Sequence, residues 1–402
     1  MFDKEIRSPR DVASAAPTPS KIRVGGRVVS GSGRTFAVAD ALATLNVQAA
    51  QDLSVEPGSL VVLDGTWDGK VLLEAVLVWS QVAPETPADG EFARLNWQGS
   101  GRRLAERARA MRVVRHYFGE QRFIEVETPT WLKSPGLDAH VEPIRADGGW
   151  LVTSPELHLK RLLVGGMPRV FELARCHRDE ELGRYHEPEF TLVEWYRLFE
   201  PVEAVMRDTE QLVERVVLAL ARQSTITHSG KKVQVEAPFD RITVAQAFER
   251  YAQRLDGIEL AERDPDTWFR IWVESIEPAI AERERPVFVT DYPASQAAMS
   301  RRRPEDLRVA ERFELCCAGV ELCNGYGELT DPVEQQARMQ REVESRVKQG
   351  QTELPIDQRF LASLREGLAP CSGNALGFDR LVMLASGADS VADVVAFPWE
   401  RN

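Results

Sequence analysis

The densest chemistry in the chain lies in RVFELARCHRDEELGRYHEPEFTLVEWYR, residues 169–197. Arg175, Arg178 and Arg184 stand there among Asp179, Glu180, Glu181, Glu187, Glu189 and Glu194. Apolar runs at 170–173 and 190–196 flank this charge, which predicts two antiparallel strands joined by a charged loop. Charges of both signs crowded into one hairpin suit a site that takes a polyphosphate, its Mg²⁺ and an amine together.

A second cluster is RFELCCAGVELCNGYGELTD, residues 312–331. A two-residue turn at Ala318 and Gly319 sets Cys316 opposite Glu321. Strand alternation then puts Glu314 on the face of Cys316, so Glu314 and Glu321 become diagonal neighbours that can share a cation. Asn324, Gly325 and Glu328 follow in a less regular segment. A third stretch, CSGNALGFDRLVML (371–384), runs a glycine-rich strand end into an apolar helix headed by Arg380. It resembles a phosphate loop only loosely, because it fits neither GxxxxGK[ST] nor GxGxxG.

These groups need a scaffold that holds strands side by side. From about residue 101 the pattern alternates helices and strands. Helices are predicted over 102–121, 202–222 and 388–397, and a strand over 123–129 that stops at Pro129. Upstream, 22–29, 35–40, 44–48, 59–67 and 70–79 read as five short strands, with Asp68-Gly69 as a hairpin turn. They predict a small OB-like β-barrel over 21–82, preceded by a mobile arm (1–20) and followed by a linker (83–100).

The chain has 402 residues and a net charge of −12, with 43% apolar and 28% charged residues. That composition excludes collagen, coiled coil and wholesale disorder. No run of about 18 apolar residues predicts a membrane span. No secretory signal is evident, and a cytoplasmic setting is expected. The five cysteines are odd in number and lack metal-ligand spacing, so they are expected to be small buried hydrophobes rather than a zinc site or disulfide framework.

In this order the three stretches resemble motifs 2 and 3 of class II aminoacyl-tRNA synthetases, and the strand ending at Pro129 resembles motif 1. Within the class they are most similar to the lysyl subgroup. LVTSPELHLKRLLVGG (151–166), EELGRYHEPEFTLVEWYR (180–197), YPASQA (292–297), RVAERFEL (308–315) and NALGFDRLVMLASGA (374–388) resemble the elongation factor P–lysine ligases. That family is paralogous to lysyl-tRNA synthetase and attaches β-lysine to a lysine of elongation factor P. The resemblance covers roughly 101–402.

The resemblance implies an α+β fold, a class II antiparallel sheet of six to seven strands flanked by helices, and a homodimer formed through motif 1. It implies ATP and Mg²⁺, with lysine or (R)-β-lysine activated as an adenylate. Adenine would lie between Phe190 and Arg380 and be read by Glu180 and the backbone near Leu322; Gly377 lies beside it. Arg178 would neutralise the α-phosphate, and Arg178 and Arg380 are the catalytic pair. Glu314 and Glu321 would hold the metal. Ser154, Pro155 and Glu156 would take the amino group nearest the carboxylate, Asn324 would help place that carboxylate, and Ala375 would form the floor. Tyr196 and Glu328 would take the terminal ammonium.

Three departures from that family stand out. Asp179 and Glu187 occupy places where it usually has Asn, adding negative charge beside the triphosphate, and Cys176-His177 replaces a small-aromatic pair. His177 and His186 read as loop structure; His116, His140, His158 and His228 read as structural or exposed. The alternatives are a lysyl-tRNA synthetase with a reduced anticodon domain, a non-catalytic paralogue acting as a binding module, and an ammonia-dependent amide-forming synthetase. Across 21–82, five Lys and Arg stand against six Asp and Glu, a balance of −1. That barrel lacks the positive charge that grips tRNA, so tRNA is not the expected partner. Ala375, where the tRNA synthetases have Gly, points the same way.

Overall fold

The computed structural model describes residues 5–15, 18–83, 85, 87–138, 141–297 and 299–402; His140 lies outside them. The chain divides into two compact units, Met1–Ala105 and Glu106–Asn402.

The first unit is a closed barrel of four strands: β1 (Ser20–Ala39), β2 (Thr44–Leu53), β3 (Leu60–Trp67) and β4 (Val71–Gln81), in the order β1-β2-β4-β3. The five expected strands become four because 22–29 and 35–40 are two halves of β1. Its first half pairs with β3 and its second with β2. The strand can fold across itself because Gly26 has no side chain: a Cβ there would stand 2.5 Å from Val38 Cγ1. The expected mobile arm is corrected as well. It carries helix α1 (Pro9–Ser14), whose N-terminus Ser8 and Asp11 cap reciprocally, and Val12 is buried in the barrel core. The expected linker contains a further helical turn, Glu91–Asn96.

The second unit is built on one sheet. Its strands are β5 (Ile124–Glu125), β6 (Arg169–His177), β7 (Glu189–Leu198), β8 (Asp240–Thr243), β9 (Val287–Pro293), β10 (Val309–Cys317), β11 (Val320–Gly327) and β12 (Cys371–Gly377). Their order is β8-β9-β10-β11-β12-β7-β6-β5. The six inner strands are antiparallel, as expected, but β8 and β5 add parallel edges, making eight strands rather than six or seven. Helices α2 (Ser100–Glu120), α3 (Glu156–Val164), α4 (Val202–Ala221), α5 (Pro332–Lys348), α6 (Gln358–Gly367) and α7 (Phe378–Ser386) accompany it.

One face of the sheet packs on α4 and α7. Val193, Trp195, Leu315 and Leu376 of the strands meet Val205, Leu212, Val216, Leu381 and Val382 in the largest core. Alternation along the same strands frees the opposite face for chemistry. Beneath β7, Asp208 of α4 accepts hydrogen bonds from Arg197 Nε (2.6 Å) and Tyr117 Oη (2.6 Å), so a buried charge is paired rather than stranded. The expected helix over 388–397 is only a short turn, Val391–Asp393. Its Val391 N–H donates to the Arg184 carbonyl at 3.0 Å, tying the segment to the charged loop instead of to a helix.

The five cysteines are free; four are buried and Cys316 is half-buried, as the composition led one to expect. Among the described residues no helix is long and apolar enough to cross a membrane.

Candidate functional site

A cleft of about 390 Å³ opens on the free face of the sheet, with β7, β11 and β12 as its floor. Register places the floor residues side by side: Glu194 of β7 faces Ala375 of β12, which faces Asn324 of β11. The expected residues Ser154, Glu156, Arg178, Glu187, Phe190, Tyr196, Glu321, Leu322, Asn324, Ala375, Gly377 and Arg380 all line this cleft.

One end is cationic. The Arg178 guanidinium lies over the Phe190 ring, 5.0 Å from its centre, and approaches Glu181 at 3.4 Å. Its Nε is buried without a partner among the described residues. Arg380, in the first turn of α7, donates to the Glu321 carbonyl (2.8 Å) and the Tyr185 carbonyl (3.2 Å) and lies 2.6 Å from His186 Nε2. Burial and the neighbouring Arg380 hold the His186 imidazole below its usual range, so the neutral ring can accept from that guanidinium. The start of α7 is fixed from beneath. Asp379 accepts from Arg107 and from the Thr191 N–H (2.8 Å), and Arg107 also donates to Thr191 Oγ1 (2.9 Å).

The hairpin of β10 and β11 turns at Ala318 and Gly319, both at positive φ, and Cys316 faces Glu321 as the turn chemistry predicts. A bulge follows between Leu315 and Cys316. Burial and the Glu314 carboxylate push the Glu321 carboxyl up to about 7, against the pull of Arg380 and Arg312. Glu314 does not line the cleft; it accepts from Tyr292 Oη (2.7 Å) and Arg312 (2.5 Å). The two carboxylates repel each other, which a cation would relieve, but they do not form a closed metal centre. Among the described residues no group of three or more His, Cys, Asp and Glu could hold a metal by itself. Phosphate oxygens would have to complete the coordination.

The other end is anionic. Pro155 caps α3, and Ser154 Oγ, which accepts from the Glu156 N–H at 3.2 Å, donates to Glu194 at 2.8 Å. Tyr196 Oη donates to the second Glu194 oxygen at 2.7 Å. Glu194 is 1% exposed, and burial together with Glu156 raises its carboxyl to about 8. Sequence reasoning counted Glu194 among the charges of the hairpin but gave it no role of its own, although it stands two residues from Tyr196 and so on the same strand face. It missed Lys160 too. That ammonium is fully buried between Glu156 (2.7 Å) and Glu328 (2.5 Å), so Glu328 lies behind the cleft rather than in its wall. Its signal was the four-residue step from Glu156 along one helix face.

Asp179 and Glu180 are not brought into the cleft. Both are exposed on the loop after β6, Glu180 at positive φ. Glu187 does reach it, buried, and accepts from the Trp399 N–H at 2.8 Å.

The family profile described as tRNA synthetases class II (D, K and N) matches residues 84–401. The chain is 37% identical over 330 residues to a protein of Hamiltonella defensa subsp. Acyrthosiphon pisum (strain 5AT) named elongation factor P–(R)-beta-lysine ligase. The match spans 76% of this chain and 98% of that protein. The match along 84–401, which spans the whole sheet and its arginine-lined cleft, identifies the chain as a member of the class II tRNA synthetases of the D, K and N group.

Proposed function

We propose that this protein uses ATP to activate lysine or (R)-β-lysine as an aminoacyl-adenylate and transfers it to a lysine side chain of elongation factor P. The observation that carries the reading is one cleft with the unspent Arg178 Nε at one end and the buried Glu194 carboxyl, beside Glu156, at the other. The named function of the 37% identical relative supports the acceptor.

In the first step a substrate carboxylate oxygen attacks the α-phosphorus, the bond to the bridging oxygen breaks, and pyrophosphate leaves. No protein nucleophile is needed; the chain supplies positioning and positive charge. Arg178 neutralises the α-phosphate with the donors it has free. Phe190 and Arg380 flank the adenine, which Glu180 and the backbone near Leu322 read and Gly377 approaches. Glu180 and Asp179 are exposed on the loop after β6, so their part in the reaction requires that loop to fold over the nucleotide. Glu321, with Glu314 behind it, would hold Mg²⁺, which would supply positive charge to the phosphates. Glu187, fixed by the Trp399 N–H, borders the phosphates.

Ser154, Pro155 and Glu156 receive the amino group nearest the carboxylate, Asn324 helps place the carboxylate, and Ala375 is the floor beneath it. The terminal ammonium meets Tyr196 and Glu194, with Glu328 behind them. In the second step the acceptor amine attacks the acyl carbon, AMP leaves, and the amine loses a proton. A homodimer through the segment around Ile124 and Trp131, whose side chains are 46% and 61% exposed, completes the proposal.

The test is transfer of labelled lysine and β-lysine, with ATP, to elongation factor P and to bulk tRNA in parallel. Label on the protein and none on tRNA is expected; label on tRNA alone would overturn the reading.

A further inference from the structure

Lys160 is a charged group that the proposed chemistry leaves unused. It is 0% exposed and does not line the cleft, yet both its ion-pair partners belong to the amine end of the site. Glu156 stands one turn before it on α3, and Glu328 follows β11. A buried ammonium persists only when paired, and two carboxylates this close persist in ionised form only with a cation between them.

Resting on the proposed function, we propose that Lys160 is a positioning residue for the amino-acid substrate. Its ammonium holds Glu156 and Glu328 in place and cancels one of the three negative charges that Glu156, Glu328 and Glu194 carry once a bound ammonium has drawn the proton off Glu194, leaving two for the two amino groups of a diamino acid.

The surroundings agree with that charge count. The groups facing the cluster from other elements are Tyr196 of β7, Tyr326 of β11, Cys371 of β12 and Arg301. Burial drives the tyrosines and the cysteine up, so they stay neutral. Arg301, the other cation near Glu328, is neutralised by Glu311 at 2.7 Å. Burial alone would depress the Lys160 ammonium; Glu156 and Glu328 outweigh it and keep the proton on. Conversely, removing Lys160 leaves Glu156, Glu194 and Glu328 to repel one another, and they respond by holding protons to higher pH. A protonated carboxyl no longer attracts an ammonium.

The test is amino-acid-dependent pyrophosphate exchange by the full chain and by Lys160→Met, which keeps length and removes charge. The KM for lysine and β-lysine should rise about tenfold or more, as for a buried charged partner removed, while the KM for ATP stays within about threefold. The acidic limb of kcat/KM for the amino acid should move to higher pH. Glu328→Gln, an isosteric change that lowers the same charge count from the other side of the pair, should also raise the amino-acid KM selectively. It decides the matter if the Met variant does not fold. An active parent whose variants keep its amino-acid KM and pH profile, or lose kcat with both substrates alike, would overturn the role of Lys160 alone. A parent that exchanges with no diamino acid would overturn the functional reading with it.

Discussion

Arg178 and Glu194 mark the two ends of the cleft, and each has a measurable signature. Arg178 is held by little: a ring beneath it, Glu181 at 3.4 Å and a buried Nε without a partner among the described residues. A donor kept so free serves a ligand better than it serves the fold. Arg178→Ala should therefore reduce pyrophosphate exchange about 100-fold or more, the usual loss of a donor that acts in the transition state, with the thermal midpoint nearly unchanged. Exchange within about tenfold of the parent would refute the assignment. Glu194 gives a pH signature. Burial and the neighbouring Glu156 push its carboxyl up to about 8, and only the ionised form attracts an ammonium. Hence kcat/KM for the amino acid should rise as pH increases through that region. In Glu194→Gln that step should vanish, leaving a lower plateau above pH about 8. A parent profile flat between pH about 6.5 and 9 would show that no buried carboxyl governs binding. Arg178 and Arg380 were legible in the residues themselves, one in a hairpin crowded with charge and the other at the head of an apolar helix, whereas Glu156 and Tyr196 entered through the resemblance to the synthetase motifs. Lys160 and Glu194 were legible in neither way, since one reads as a helix surface charge and the other as part of a charged hairpin. Only their burial, 0% and 1% exposed, gives them meaning.

At the scale of elements, strand alternation decides how the cleft is made. β7 sends Glu194 and Tyr196 to one face and Val193 and Trp195 to the other, so one strand serves site and core at once. The neighbouring strand must then be thin where Tyr196 lies. Gly373 faces Tyr196 in the β7–β12 register, and a Cβ there would stand 2.2 Å from the tyrosine ring and 2.8 Å from Glu328 Oε1. Gly373→Ala should thus push Tyr196 off Glu194, raise the amino-acid KM more than the ATP KM, and cost about 1–3 kcal/mol of stability through overpacking. Kinetics with each substrate varied, together with denaturant unfolding, check both parts; unaltered values would mean that Tyr196 has room to move and does not define the amine end. The hairpin at Ala318 and Gly319 was readable because two-residue turns fix register. The bulge beside Cys316 was not, nor was the parallel edge strand β8, because a run of four residues carries no periodicity that distinguishes it from a loop; β5 was expected within 123–129 but spans only Ile124–Glu125 and pairs in parallel. The two halves of β1 looked like separate strands because Gly31 and Gly33 between them carry the sequence marks of a turn; both have positive φ, yet pairing continues on either side.

At the scale of the whole molecule the question is what the barrel unit contributes. The family match begins at residue 84, and the relative from Hamiltonella defensa is spanned to 98% by 76% of this chain, so about a quarter of the chain has no counterpart in it. The barrel is nevertheless a folded unit with its own core, built from Val24, Val28, Phe36, Val38, Val47, Leu63 and Leu72. Its charge balance of −1 over 21–82 gives it no electrostatic grip on a polyanion, in contrast to a domain whose affinity comes from phosphate neutralisation. The cleft, its arginines and its carboxylates all belong to Glu106–Asn402. A chain beginning at Gly99 keeps α2 whole, and with it the buried Ala110, Val114, Tyr117 and Phe118 of the main core. Such a chain should retain pyrophosphate exchange within about threefold of the parent, because every group assigned to the first step remains, and should still transfer lysine to elongation factor P. Exchange assays read the first step and label transfer reads the second, so the two can fail separately. Loss of exchange in a folded truncation would mean that the barrel supports the cleft. Exchange preserved with transfer abolished would mean instead that the barrel docks the acceptor, through contacts other than a strong net charge.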